Sequence, residues 1–139
     1  MMLSSGIRRV IAAFRSRLVG QPRSTQPQRW IEVDHLATRI KEDVVLIDVR
    51  SPDEFTGPLG HIANARNVPL TELAGRLDEL DAMKSSPVVL VCRTDKRSAS
   101  AASLLQEAGF RDVQVLRGGM ELWNRSGPPV EGRATTSGT

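Results

Sequence analysis

The sequence has one cysteine, Cys92, in 139 residues. That single thiol excludes an intramolecular disulfide, a CxxC redox pair and any multi-cysteine zinc site. His35 and His61 are the only histidines, too few soft ligands for a structural metal centre. Neither a metal nor a cofactor is therefore expected. No apolar run approaches the length of a membrane-spanning helix, and no internal repeat is visible. The first 30 residues lack acid altogether: Arg8, Arg9, Arg15, Arg17, Arg23 and Arg29 give them a charge of +6. The rest of the chain carries 13 basic and 16 acidic groups, a charge of −3. The overall basic balance therefore belongs to the N-terminal arm, and no nucleic-acid partner is expected for the domain that follows. That domain has ordinary globular composition, since the chain as a whole is 40% hydrophobic and 25% charged.

Within the arm, Leu3, Ile7, Val10, Ile11, Phe14 and Leu18 recur at helical spacing, with arginines mostly on the opposite side. Gln21 to Gln28 then reads as a flexible linker. An acid-free amphipathic helix of this kind has three readings: a transit peptide, a membrane-surface contact through residues 3–18, or a helix docked on its own domain. A twin-arginine export signal at Arg8-Arg9 does not fit, because Arg15 and Arg17 interrupt the region that should be uncharged. A cytoplasmic location is expected, replaced by a mitochondrial or membrane-peripheral one if the arm is a targeting or surface helix. The organisation is thus an arm and linker over 1–29, a domain over 30–127 and a flexible polar tail over 128–139.

Strand and helix patterns alternate from Trp30 onward. Strands are expected at Trp30–Val33, Val44–Val49, Ala65–Pro69, Val88–Cys92 and Val113–Leu116. Helices are expected at His35–Lys41 with Asp34 as N-cap, briefly after Ser51, at Glu72–Met83 with Thr71 as cap, at Ser98–Ala108, and near Met120–Arg125. The near-continuous apolar run Val44-Val45-Leu46-Ile47 is typical of a parallel strand buried on both faces. The fold class is α/β, with a central, mainly parallel five-stranded sheet flanked by helices on both faces.

Cys92 ends the most central-looking strand, and ligands of open parallel sheets bind outside the carboxyl ends of the strands. The segment Cys92-Arg93-Thr94-Asp95-Lys96-Arg97 must curl tightly before the helix begins near Ser98. Such a curl turns backbone N–H groups inward, and the helix N-terminus adds partial positive charge. Arg93, Lys96 and Arg97 bring three charges against one from Asp95, and every one of these features favours thiolate over thiol. Cys92 is therefore the expected nucleophile, with Arg93 through Ser98 as the anion-binding loop around it.

The ordered set Asp48-Val49-Arg50, Glu54-Phe55, Gly60-His61-Ile62, Asn67-Val68-Pro69, Cys92 to Ser98 and Leu116-Arg117-Gly118-Gly119 resembles rhodanese domains over about residues 30 to 127. The resemblance implies a sulfurtransferase in which Cys92 takes a sulfane sulfur from a small sulfur-containing anion such as thiosulfate, or from a persulfide donor. The Cys92 persulfide then passes it to cyanide, a thiol or a carrier protein. With no second cysteine in the chain, that acceptor is external. Asp95 stands where the family loop often carries Gly and puts a negative charge near the mouth. Asn64 stands where a Gly commonly precedes the Ala-x-Asn-Val-Pro segment, and Asn tolerates positive φ better than most residues.

Two alternatives follow from other classes. A cysteine phosphatase or arsenate reductase needs C-x5-R, whereas Arg97 follows Cys92 after four residues. A non-catalytic interaction module is the other. Asp48 and Arg50 sit at a neighbouring strand end as residues that support the active loop, by a salt bridge or by hydrogen bonds to that loop, or else as an ordinary strand-end capping pair. His61 is expected in a structural, hydrogen-bonded role, because attack by a thiolate needs no base. His35, Met120 and Trp123 are expected to be structural, and Gly118-Gly119 to form a tight turn beside the crevice.

Overall fold

The structure, a computed structural model, describes residues 27–133. The amphipathic segment 3–18, most of the linker and the last six residues lie outside the described residues. Five strands, β1 (Trp30–Ile31), β2 (Val45–Asp48), β3 (Arg66–Asn67), β4 (Pro87–Val91) and β5 (Asp112–Leu116), form one sheet in the order β1-β5-β4-β2-β3. All four pairings are parallel, so the α/β architecture is as expected and β4 is the middle strand. Among the described residues no helix is long and apolar enough to cross a membrane.

The two-residue period of the strands divides the core into two layers. Ile47, Val88, Leu90, Val113 and Val115 face one side, where they meet Leu73, Leu80, Ala101, Ala102 and Leu105. Leu46, Val89, Val91 and Leu116 face the other and pack on Val33, Leu36, Met120 and Trp123. The helices follow from these contacts: α1 (Val33–Arg39) and α5 (Gly119–Ser126) cover the second face. The first is covered by α3 (Leu70–Leu73), a 3-10 helix (Ala74–Met83) and α4 (Lys96–Glu107), while the short α2 (Pro52–Phe55) follows β2.

Several boundaries differ from the sequence expectation. The strand at Trp30 stops at Ile31 and the helix begins at Val33, with Glu32 rather than Asp34 at the N-cap position. The reason is packing: Val33 and Leu36 are one helical turn apart and both are buried in the second core. The single helix expected over Glu72–Met83 is a one-turn α-helix followed by ten residues of 3-10 helix, and no side chain caps it. Leu77, Leu80 and Met83 are spaced by three, so a three-residue turn stacks them on one line against the first core. Ser51 caps α2 with a complete capping box, its side chain accepting from the Glu54 amide while Glu54 accepts from the Ser51 amide.

Residues 128–133, read from sequence as part of a flexible tail, are fastened to the domain. Trp123 Nε1 donates to Pro129 O, and His61 and Glu131 exchange two backbone hydrogen bonds of 2.9 and 2.8 Å. Asn64 has φ 68°, alone among the described non-glycine residues in taking a positive value, in line with its expected tolerance.

Candidate active site

Cys92 follows β4 directly, and the strand alternation that buries Val88 and Leu90 carries its side chain to the same face, under α4. The thiol is 1% exposed. The Ser98 amide lies 3.4 Å from Sγ and donates to it. The helix starts at Lys96, two residues earlier than expected, with Asp95 at the N-cap position. The loop after β4 is therefore Cys92–Asp95, and Lys96, Arg97 and Ser98 of the segment expected to bind an anion form the first turn of α4, where amides lack intrahelical acceptors. The amides of Arg93, Thr94 and Asp95 likewise have no backbone acceptor among the described residues.

The carbonyls of the loop are turned away by α5. Met120 N donates to Cys92 O at 2.8 Å and Glu121 N to Arg93 O at 3.0 Å. Gly118 and Gly119, both at positive φ, let the helix start come this close. A Cβ on Gly119 would lie 2.6 Å from Arg93 O and closer still to the carbonyl oxygens of Cys92 and Thr94. Asp95 Oδ2 accepts from Gly118 N at 3.4 Å, which ties the loop to the same turn. With the carbonyls committed to α5, the Ser98 amide is left on the sulfur side. Beside it lies the Ser98 hydroxyl, fully buried and without a hydrogen-bond partner among the described residues. Orphaned buried hydroxyls are rare enough to need an explanation.

Three cations of the expected binding segment are placed differently from one another. Arg97 gives both terminal nitrogens to Glu54, at 2.7 and 2.9 Å. That bond holds the Glu54 carboxyl down at about 2 and raises the Arg97 guanidinium. Arg93 is exposed and bonds Glu121 at 2.6 Å. Lys96 is exposed and has no ion pair among the described residues. Thr94 is exposed at the tip of the loop. Glu121 is not singled out by the sequence, and Glu54 enters there only within the Glu54-Phe55 motif, with no role given to it. The Ser51-x-x-Glu54 capping box marks Glu54 as ordered, but nothing local marks Arg97 as its partner.

The chain matches the rhodanese-like domain family over residues 32–126. The chain belongs to that family. It is 45% identical over 78 residues to the uncharacterised protein YqhL of Bacillus subtilis, a match covering 56% of this chain and 59% of the relative. It is 37% identical over 93 residues to the thiosulfate sulfurtransferase GlpE of Pseudomonas putida, covering 67% of this chain and 81% of that protein. A crystal structure of a rhodanese-related protein from Thermoplasma volcanium superposes with a TM-score of 0.68 at 31% identity, covering 75% of this chain and 98% of that one.

In this rhodanese-like domain Asp48 and Arg50 support neighbouring loops rather than the cysteine loop itself. Arg50 Nε lies 2.9 Å from Asp48 Oδ1, Arg50 Nη2 lies 2.8 Å from Asp48 Oδ2, and both residues are fully buried. Arg50 Nη2 also donates to Gly60 O at 2.7 Å. Asn67 Nδ2 ties the backbone of the same pair, donating to Asp48 O and Arg50 O. His61 bonds Phe55 O through Nδ1 at 3.0 Å and stacks on the Phe55 ring with centroids 3.7 Å apart. Nδ1 must carry the proton to bond a carbonyl. A shallow cleft of about 300 Å3, lined by Arg50, Glu54, Pro58, Leu59, Arg93 and Glu121, opens beside the loop. Among the described residues no group of three His, Cys, Asp or Glu side chains is arranged to hold a metal.

Proposed function

We propose that this domain transfers a sulfane sulfur through a persulfide on Cys92. The observation that carries the proposal is the Ser98 amide on Sγ beside a loop whose other amides lack backbone acceptors. A buried thiolate needs such donors to offset the loss of water, and an anionic persulfide needs more of them because its charge sits one atom further out. The Ser98 hydroxyl, buried and without a partner among the described residues, is a further donor on the residue whose amide already meets Sγ. Helix-dipole charge from the N-terminus of α4, immediately above the thiol, acts in the same direction.

In the first half-reaction the Cys92 thiolate attacks the outer sulfur of the donor. The donor S–S bond, or the S–S bond of thiosulfate, breaks as the new S–S bond forms, and thiolate or sulfite leaves with the electron pair. In the second half-reaction an external nucleophile, a thiol, cyanide or a carrier protein, attacks the terminal sulfur and Cys92 returns as thiolate. No base is required at either step. The similarity to proteins named sulfurtransferases supports this assignment. The engagement of Arg97 by Glu54 speaks against a phosphatase, which needs a free guanidinium to close on a phosphoryl group.

The decisive measurement is the mass of the intact protein after incubation with thiosulfate or a thiol persulfide. Gain of one sulfur atom on Cys92, absent from Cys92→Ser and discharged by cyanide as thiocyanate, is expected. Phosphate-ester turnover without that gain would favour the phosphatase, and neither reaction would favour an interaction module.

A further inference from the structure

The charges around the sulfur cancel. Arg97 is matched by Glu54 in a two-point bond and Arg93 by Glu121 at 2.6 Å; the exposed Lys96 makes no ion pair among the described residues, and its formal charge is offset only by the neighbouring Asp95, whose carboxylate bonds Gly118 N. Arg50, the other cation of the adjoining cleft, is neutralised by buried Asp48. Three cations and three carboxylates thus ring the cysteine loop with no net charge. The three carboxylates come from α2, the loop itself and α5, so the cancellation is assembled from separate parts of the fold.

A site built to capture a dianion keeps its cations free, because attraction and steering scale with the charge of both partners. We propose that Asp95 and Glu121, together with Glu54, set donor specificity by cancelling the loop cations, so that the donor is the persulfide of a thiol, R–S–S⁻, in preference to the thiosulfate dianion. The inference rests on the sulfur-transfer function proposed above. In the step, the Cys92 thiolate bonds to the outer sulfur of R–S–S⁻ and the bond between the two donor sulfurs breaks. R–S leaves with that electron pair and takes one proton from water, giving R–SH and the Cys92 persulfide anion. The transferred sulfur keeps its oxidation state, and no other oxidant or reductant is consumed.

Glu121 and Asp95 are the informative positions, because Glu121→Gln releases Arg93 and Asp95→Asn keeps an oxygen for Gly118 N. The rate of sulfur loading on Cys92 is measured by mass for wild type and both variants. The donors are thiosulfate and the persulfide of an uncharged small thiol, at ionic strengths from about 0.01 to about 0.2 M, a range over which screening changes severalfold. For wild type, the thiosulfate rate is expected to vary less than about twofold over that range and to lie below the persulfide rate. In each variant the ratio of thiosulfate to persulfide rate is expected to rise about three- to tenfold at low salt, and that rise to fade with salt. A thiosulfate rate in wild type that falls steeply with salt, or a ratio unchanged in both variants, overturns the inference and leaves sulfur transfer standing. Failure of both donors to load Cys92 overturns the proposed function and the inference with it.

Discussion

Glu54 and Arg97 stand 43 positions apart in the chain and meet in two hydrogen bonds of 2.7 and 2.9 Å. The bond resolves a conflict at the start of α4, where Lys96 and Arg97 put two cations against the positive end of the helix dipole. It also links α2 to the helix that covers Cys92.

Glu54→Gln is expected to lower stability at pH 7 by about 1–2 kcal/mol, a value discounted for solvent screening of a carboxyl that is about a third exposed. The sign of the pH dependence follows from the direction of the shift. The folded state holds Glu54 at about 2, below its ordinary value of 4.5, so the contribution is complete above about 4.5 and is lost as pH falls toward 2. Urea unfolding of wild type and variant should therefore show a gap that shrinks to less than half by about pH 3. A gap that is the same at pH 7 and pH 3 would rule out the carboxylate charge as its source.

Gly119→Ala tests the approach of α5 to the cysteine loop. Its Cβ would meet three loop carbonyls at a backbone φ of +57°, so a loss of about 3 kcal/mol or more is expected, with loss of sulfur transfer. Gly127→Ala is the control, since it also has positive φ but open space around its Cβ, and about 1–2 kcal/mol is expected there with little change in transfer rate. Equal effects of the two variants would mean that the loop carbonyls do not require the close contact.

What could be read from the sequence was local. The apolar run before Cys92 and the helical pattern after it place the thiol at a strand end, and the Asp48-x-Arg50 spacing puts both side chains on one side of another strand end. The five strands were legible for the same reason, because parallel buried strands are short apolar runs between turn signals. The ion pairs that decide the electrostatics were not legible: Glu54 with Arg97 and Glu121 with Arg93 join different elements, and the sequence shows three cations without their partners. The early start of α4 at Lys96 was missed because a pair of cations is a poor N-terminal signal. It becomes favourable only once Glu54 has folded beside it. The 3-10 helix was missed because Leu73, Leu77 and Leu80 fit α-helical spacing as well, and only the continued step of three to Met83 separates the two.

Arg50→Ala is expected to cost about 3–5 kcal/mol, since it leaves the Asp48 carboxylate buried without its counter-charge and Gly60 O without a donor. Removing Asp48 as well should not add a comparable loss. The double variant Asp48→Ala/Arg50→Ala is expected to be no less stable than Arg50→Ala alone, because the uncompensated charge has gone. Chemical denaturation of the three variants gives the cycle directly, and simple additivity would show that packing volume, not charge, sets the cost.

Ser98 separates a structural role from a chemical one. Its hydroxyl is buried with no partner among the described residues, so in the resting protein it costs free energy without return. Ser98→Ala is therefore expected to leave stability unchanged or to raise it by up to about 1 kcal/mol. The same variant removes a buried, uncommitted donor from the residue whose amide bonds Sγ. Sulfur loading on Cys92 should slow by about tenfold or more, with the amide bond to Sγ intact. Ser98→Thr keeps the hydroxyl and should recover most of the rate. A Ser98→Ala protein that is less stable but transfers sulfur at the wild-type rate would make the hydroxyl a packing group, and the unpaired oxygen would then need another explanation.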